Sequence, residues 1–286
     1  MSMDSALEAF YAGLREIYGA STRDTAGRTA LNGAGRVPAK DALPAPSSAV
    51  LTPRQMEQFL QYRQELLDWN TRINLTAITD PGEVLSKHFL DSLSLLLVYD
   101  RPAALVLDIG AGAGFPGLPL KIMRPQWQVV LLEATGKKVT FIQHVIAMLD
   151  LKDVVVVHGR AEELALNAAY RSSFDLVTAR AVASLPTLLE YAAPYCRVGG
   201  KIILPKKGDL AQELVQGKRA AQQMGSVLRD DVTVRLPGLD DGRRLLVWEQ
   251  ARKCPAQYPR SGALMAKSPL GTGKIIRKHE VNDGRR

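Results

Sequence analysis

The stretch VLDIGAGAGFPGLPL, Val106 to Leu120, decides the fold. Val106 and Leu107 read as a buried strand, Gly110, Gly112 and Gly114 as a turn, and Leu118 to Met123 as the start of a helix packing back on that strand. Glycines at alternate positions admit backbone conformations, and a close ligand approach, that a Cβ denies. A ligand held by such a turn lies at the carboxyl edge of a parallel sheet.

Outward from this turn the same alternation continues. Leu105–Ile109, Gln128–Glu133, Val154–His158, Phe174–Ala179 and Lys201–Pro205 read as parallel strands, with helices or loops leading to helices between the first four. Val232–Leu236 and Arg243–Glu249, joined across Asp240-Asp241-Gly242, read as a terminal antiparallel hairpin. The expected fold class is α/β, a doubly wound, mostly parallel seven-stranded sheet with helices on both faces. Residues 1–100 read as an N-terminal helical subdomain. It comprises a short helix over 1–18 with Leu7, Phe10, Leu14 and Ile17 on one face, a Gly/Ala/Pro/Ser/Thr-rich flexible linker over 19–49, and two further helices. One of these opens at Thr52-Pro53 and the other runs from Asp80-Pro81 toward Val98. Residues 101–250 carry the sheet, and 251–286 form a basic C-terminal tail.

The charge distribution points to a polyanionic partner. The formal net charge is +8, and between Ala251 and Arg286 nine Lys/Arg face two acids, Glu280 and Asp283. No apolar run nears the roughly 20 residues that span a bilayer, and the first residues lack a basic leader, so a cytoplasmic, non-membrane protein is expected. The two cysteines, Cys196 in an apolar stretch that reads as helical and Cys254 in a basic loop, exclude a disulfide scaffold or thiolate metal site, and neither is expected to function chemically. The four histidines make no metal cluster.

Two cofactors suit the glycine turn. Gly112 to Gly117 satisfies GxGxxG, which keeps an NAD(P)-dependent oxidoreductase in view. Asp108, two residues before the first glycine, and Pro116, which removes a donor where a pyrophosphate would seek helix N–H groups, favour S-adenosylmethionine, a cationic sulfonium without a diphosphate. Glu133, ending the second strand, can accept the ribose hydroxyls of either cofactor, or cap the next helix. His158-Gly159-Arg160-Ala161-Glu162-Glu163 follows the third strand, placing the backbone of Ala161 and Glu162 beside an adenine edge; Glu162 and Glu163 also suit the first turn of a helix by charge–dipole attraction.

On the acceptor side, Arg180 follows the fourth strand and stays protonated, so it can orient a base, bind phosphate or hold the donor's carboxylate, but cannot act as a base. Guanine N7 already presents an in-plane lone pair and needs only positioning and electrostatics. No N/D-P-P-Y/F tetrapeptide for exocyclic amine methylation follows the strand, and Cys196 is badly placed to attack a pyrimidine. Lys206 and Lys207 lie where the fifth strand exits and suit RNA phosphate, as do Lys137 and Lys138 more weakly. His88 and Asp91, three apart on one helix face, can contact a nucleobase, with Asp91 fixing the imidazole, or serve a capping or interdomain role.

NLTAITDPGEVLSKHFLDSL, LDIGAGAGFPGLPLKI, LLEATGKKVTFIQHV, GRAEEL, FDLVTARAVASL, ILPKKG and YPRSGALMAKSPL together resemble the bacterial small-subunit ribosomal RNA guanine-N7 methyltransferase G family, also called glucose-inhibited division protein B, from about Leu51 to Leu270. The resemblance implies a class I S-adenosylmethionine-dependent methyltransferase acting on guanosine 527 of 16S rRNA, with 16S rRNA or the 30S subunit as partner, no metal, and a monomeric state. It places the cofactor on Asp108, Gly110, Ala111, Gly112, Gly114 and Phe115, on Glu133 and Ala134, on Arg160, Ala161 and Glu162, and at Arg180, which is also the catalytic candidate. His88, Asp91, Lys206, Lys207, Arg260 and Lys267 are the expected substrate contacts. A non-catalytic rRNA-binding assembly factor is the remaining alternative. The chain departs from the family in a longer 19–49 link, in Ala179 where Ser is common, and in the residues after Leu270.

Overall fold

The protein is described from a computed structural model, which describes residues 3–27, 51–180, 183–239 and 241–272. Helix α1 (Met3–Gly27) buries Ala6, Phe10, Leu14 and Ile17, with Leu7 at the margin of that face. It continues past Tyr18, where the composition suggests a linker. No proline interrupts 19–27, and an isolated glycine costs a formed helix only about 1 kcal/mol. The rest of the expected linker, 28–49, and the extension after Thr272 lie outside the described residues.

Helix α2 (Pro53–Asn70) opens on a capping box: Thr52 accepts from the Gln55 N–H and the Gln55 side chain accepts from the Thr52 N–H. The stretch expected as one helix toward Val98 is composite. Asp80 caps α3 (Pro81–Glu83), a π-helical turn follows over Val84–Leu90, then α4 (Asp91–Leu93) and a 3-10 turn over Ser94–Leu97.

The sheet begins with β1 (Leu105–Ile109), followed by α5 (Gly117–Met123), β2 (Gln128–Glu133), α6 (Gly136–Met148), β3 (Val154–His158), α7 (Ala161–Leu164) and β4 (Phe174–Ala179). These four strands carry the bounds expected from their patterning. Then come α8 (Leu185–Ala192), β5 (Cys196–Lys207), α9 (Ala211–Met224), β6 (Ser226–Thr233), β7 (Arg243–Gln250) and the short α10 (Gly262–Lys267). The order is β3-β2-β1-β4-β5-β7-β6, parallel from β3 to β5, with β7 antiparallel to both β5 and β6.

Three details differ from the sequence reading. Cys196 starts β5 rather than sitting in a helix, because the apolar run before it ends α8 and Arg197-Val198-Gly199 continues the strand at its exposed end. β6 lies earlier than Val232–Leu236: a bulge between Leu228 and Asp230 lets Arg229, Asp230 and Asp231 line an exposed edge strand whose charges mask its pattern. The apolar Val234, Leu236 and Leu239 belong to the long connection to β7, where they are buried in the same core as the N-terminal helices.

The two sheet faces bury separate cores. One contains Leu107, Ile109, Val177, Leu189 and Trp248; the other joins Val106, Leu118, Leu131 and Phe141 of the sheet layer to Phe10, Phe59, Tyr62 and Phe89 of the N-terminal helices. Those helices therefore complete a core that the sheet face would otherwise expose. Arg124 strengthens the junction with a two-pronged pair to Asp100 and a bond to the Tyr18 hydroxyl.

Candidate active site

The carboxyl ends of β1, β2, β3 and β4 converge on one edge, where Ile109 pairs with Leu132 and Ala179, and Glu133 pairs with His158. Gly110, Gly112 and Gly114 all take positive φ, at 67°, 62° and 97°. At Gly114 the restriction is also steric: an added Cβ would come within 2.6 Å of the Tyr62 hydroxyl and of Leu118. Tyr62, fully buried, reaches from α2 to donate to the Ala113 carbonyl. The N-terminal subdomain thus presses directly on the glycine turn.

The amides of that turn are already engaged. Those of Gly110 and Ala111 donate to the Leu132 carbonyl, those of Gly114 and Phe115 to the Ala111 carbonyl, Leu118 to Gly114, Gly117 to Asp108 and Gly112 to Glu133. A diphosphate binds at a helix N-terminus through free N–H donors, and this turn has few to offer. Glu133 accepts from Gly112 at 2.8 Å through one carboxylate oxygen and from Thr135 at 2.8 Å through the other. Each oxygen keeps a second acceptor position, which fits a pair of ribose hydroxyls. A Cβ built at Gly112 meets only the Gly110 carbonyl, at 3.9 Å, and one at Gly159 meets nothing, so both flanks of Glu133 leave space for a nucleoside.

Asp108 lies wholly buried beneath the turn. One carboxylate oxygen accepts from the Gly117 amide at 2.8 Å and the other has no partner among the described residues. Burial pushes its carboxyl up to about 7, against the Gly117 hydrogen bond and the Arg180 charge, which favour the ionised form. Ala111 is buried, Ala134 is exposed with its carbonyl accepting from His158, and exposed Arg160 precedes α7, where Ala161 is buried and Glu162 half-buried.

The residues expected on the acceptor side around Arg180 form an ordered cluster. The Arg180 guanidinium bonds Asp91 at 2.7 Å and His88 Nδ1 at 3.3 Å and lies 5.1 Å from the centre of the Phe115 ring. Phe115 is stacked between His88, at 4.5 Å, and Tyr62, at 5.4 Å, so its side chain belongs to the subdomain junction. Because a guanidinium only donates, His88 Nδ1 is the acceptor, and Nε2–H donates to Thr76 Oγ1 at 2.7 Å. Burial, with the charges of Arg180 and Arg243, lowers the His88 pKa to about 3.

Asp91 does not fix the His88 ring, contrary to the expectation from their three-residue spacing. The π-helical turn alters the face geometry, and Asp91, with a 5% exposed side chain, instead pairs with both Arg180 and Arg243, themselves 16% and 15% exposed. Tyr62, Thr76 and Arg243 escaped sequence reading. Arg243 was accessible in principle: a hairpin strand antiparallel to β5 starts at the carboxyl edge, and Arg243 pairs in register with Lys207.

The remaining basic candidates separate. Lys207 and Lys267 are exposed. Lys206 turns inward to Glu213 at 2.8 Å, and Arg260 forms a two-pronged pair at 2.7 Å with Glu190, which is completely buried. Cys196 and Cys254 are buried and free, with thiols pushed by burial up to about 12 and about 11. Cys196 stands at the opposite end of β5 from Lys207. Among the described residues no His/Cys/Asp/Glu group is arranged to hold a metal, and no helix is long and apolar enough to cross a membrane.

The family described as GidB, rRNA small subunit methyltransferase G, matches residues 55–236, which include nearly all of α2, the glycine turn, His88, Asp91 and Arg180. The chain belongs to this family. It is similar to proteins named ribosomal RNA small subunit methyltransferase G. The one from Dehalococcoides mccartyi (strain CBDB1) is 49% identical over 216 residues, 76% of this chain and 92% of the relative. Those from Roseiflexus sp. (strain RS-1) and Exiguobacterium sibiricum are 47% and 40% identical, over 77% of this chain and 94% and 93% of theirs. As a methyltransferase G family member the protein is an S-adenosylmethionine-dependent rRNA guanine-N7 methyltransferase, and the oxidoreductase and non-catalytic alternatives are set aside. The engaged amides of the turn agree with a donor that lacks a diphosphate.

Proposed function

We propose that the methyltransferase modifies N7 of guanosine 527 in 16S rRNA, acting in the cytoplasm as a single copy. S-adenosylmethionine supplies an electrophilic methyl group on a sulfonium. Glu133 receives the ribose hydroxyls, the backbone at Ala134 and Arg160–Glu162 faces the adenine, and the segment from Gly110 to Phe115 lines the methionyl side. Asp108 shapes that turn through Gly117 and sets a buried carboxyl beneath a cationic ligand, whose charge favours the ionised form.

The observation that carries the choice of acceptor is the state of the cluster at the tip of β4. Among its described residues, Arg180 is permanently protonated, Asp91 already receives two guanidinium groups, and both nitrogens of His88 are engaged. None is available to remove a proton, which suits a purine nitrogen with a ready lone pair. Arg180 orients the guanine edge, His88 and Asp91 hold Arg180, and Lys207 with Lys267 contacts RNA phosphate. Lys206 supports this surface through Glu213, whereas Arg260 turns inward to Glu190.

Mass mapping of 16S rRNA from a deletion strain tests the site: N7-methylguanosine should vanish at position 527 and return with the restored gene. Its persistence in the deletion strain refutes the assignment. Parallel transfer assays on naked 16S rRNA, assembly intermediates and intact 30S particles identify the working form.

A further inference from the structure

The segment after β7 is strongly basic, yet one of its basic residues, Arg260, is turned inward. Arg260 donates to Glu190 three times, from its backbone amide at 2.9 Å and from Nε and Nη2 at 2.7 Å. Glu190 on α8 has no solvent exposure, so its carboxylate depends on Arg260 for neutralisation. From the other side Arg171 donates to the carbonyls of Tyr258 and Pro255 at 2.9 Å and of Cys254 at 3.3 Å. The chain from Cys254 to Arg260 is thus clamped at both ends.

The clamp delivers Gly262 onto Glu162. A Cβ at Gly262 would stand 2.6 Å from Glu162 Oε1, so only glycine allows this approach without displacing that side chain. The neighbouring Ala161 carbonyl accepts from the buried Tyr195 hydroxyl at 2.5 Å. Helix α7 spans only Ala161–Leu164, too short to hold its own position by internal hydrogen bonds, and it takes its support from these outside contacts.

We infer that the Arg260–Glu190 pair is a positioning device for the cofactor site: it seats the Cys254–Gly262 strap against Glu162 and so sets the α7 backbone that faces the adenine. This rests on the proposed placement of the adenine at Arg160–Glu162. Arg260 acts through the strap and carries no RNA phosphate contact.

The test uses the full chain and titrates S-adenosylmethionine and S-adenosylhomocysteine against wild type, Arg260→Gln and Gly262→Ala. Arg260→Gln should raise KM for the donor about tenfold, weaken both ligands by the same factor, and leave kcat within twofold and the salt slope of RNA binding unchanged. Arg260→Lys, which keeps one charge contact to Glu190, should recover part of the affinity. Gly262→Ala leaves the ion pair intact and pushes Glu162, and α7 with it, away from the strap, so it should fold even where Arg260→Gln does not, and should weaken the donor a few-fold. Unchanged donor affinity in folded Arg260→Gln, or in Gly262→Ala, overturns the inference, as does a reduced RNA salt slope in Arg260→Gln. Hydrogen exchange on the wild type separates the two layers. Protection of the Ala161–Leu164 amides by S-adenosylmethionine upholds the adenine placement whatever the variants do, and lack of protection removes that placement and the strap's role together.

Discussion

The glycine turn and the arginine cluster share one sheet edge and are held in opposite ways. The turn is tied mainly by backbone hydrogen bonds, among residues 110–118 and to Leu132, with the carboxylates of Glu133 and Asp108 accepting from Gly112 and Gly117. The cluster draws Thr76, His88, Asp91, Phe115, Arg180 and Arg243 from separate segments and is held by buried charge and ring stacking. Backbone ties tolerate changes in neighbouring side chains, whereas a charge network fails when one member is removed. The cofactor half should therefore survive substitutions that dismantle the acceptor half.

Asp91→Ala breaks this contrast most severely. It leaves two largely buried guanidinium groups without their carboxylate, and a loss of roughly 3–5 kcal/mol is expected by chemical denaturation. A loss below about 1 kcal/mol shows that charge does not hold the cluster. Arg180→Lys keeps the charge but removes the planar fork, and kcat for methyl transfer should fall about a hundredfold while the donor Kd stays within twofold. A raised Kd instead moves Arg180 to the cofactor side. Glu133→Ala should do the reverse, weakening S-adenosylmethionine by about tenfold or more through lost charge-assisted hydrogen bonds, with RNA affinity unaltered. Calorimetric titration reads both.

Protons sharpen the comparison further. Asp108, raised from 3.8 to about 7, keeps a proton in the fold that the unfolded chain has lost, so its contribution falls as pH rises across that window. His88, lowered from 6.5 to about 3, gives a contribution that is lost as pH falls through that window. The two slopes, each up to about 1.4 kcal/mol per pH unit, oppose one another between about pH 4 and 6.5. Asp108→Asn removes one of them, and urea denaturation should then show stability rising with pH up to 6.5. A profile matching wild type is the contrary result. The smallest effect is expected at Lys207→Glu, which should lower the salt slope of RNA binding by about one to two and leave the melting temperature unchanged. Lys206→Glu should instead destabilise the fold through Glu213, because the same charge there faces inward.

Legibility follows the range of the interactions. The first four parallel strands are apolar runs between turn residues, mostly buried in β1, β2 and β4 and part-exposed at the edge in β3, and their bounds are local facts. Glu133 is recognisable because a strand end is a place in the fold as much as in the chain. β6 is obscured by Arg229-Asp230-Asp231, charges that an edge strand accepts on its exposed side. Spacing alone pairs His88 with Asp91, but the π-helical turn between Val84 and Leu90 assigns them different partners. Composition marks the C-terminal segment as basic and cannot say that Arg260 meets a buried carboxylate 70 residues away.

The sequence by itself determined the alternating architecture, the glycine turn, the acid that ends the second strand and the family, because each is written in residues adjacent in the chain or repeated with the period of a strand or helix. Tertiary structure alone decided which charges stay in solvent and which are neutralised inside, since burial and counter-ion are properties of distant neighbours. Lys206 and Lys207 are consecutive, yet the pleat of β5 turns one toward Glu213 and leaves the other in solvent.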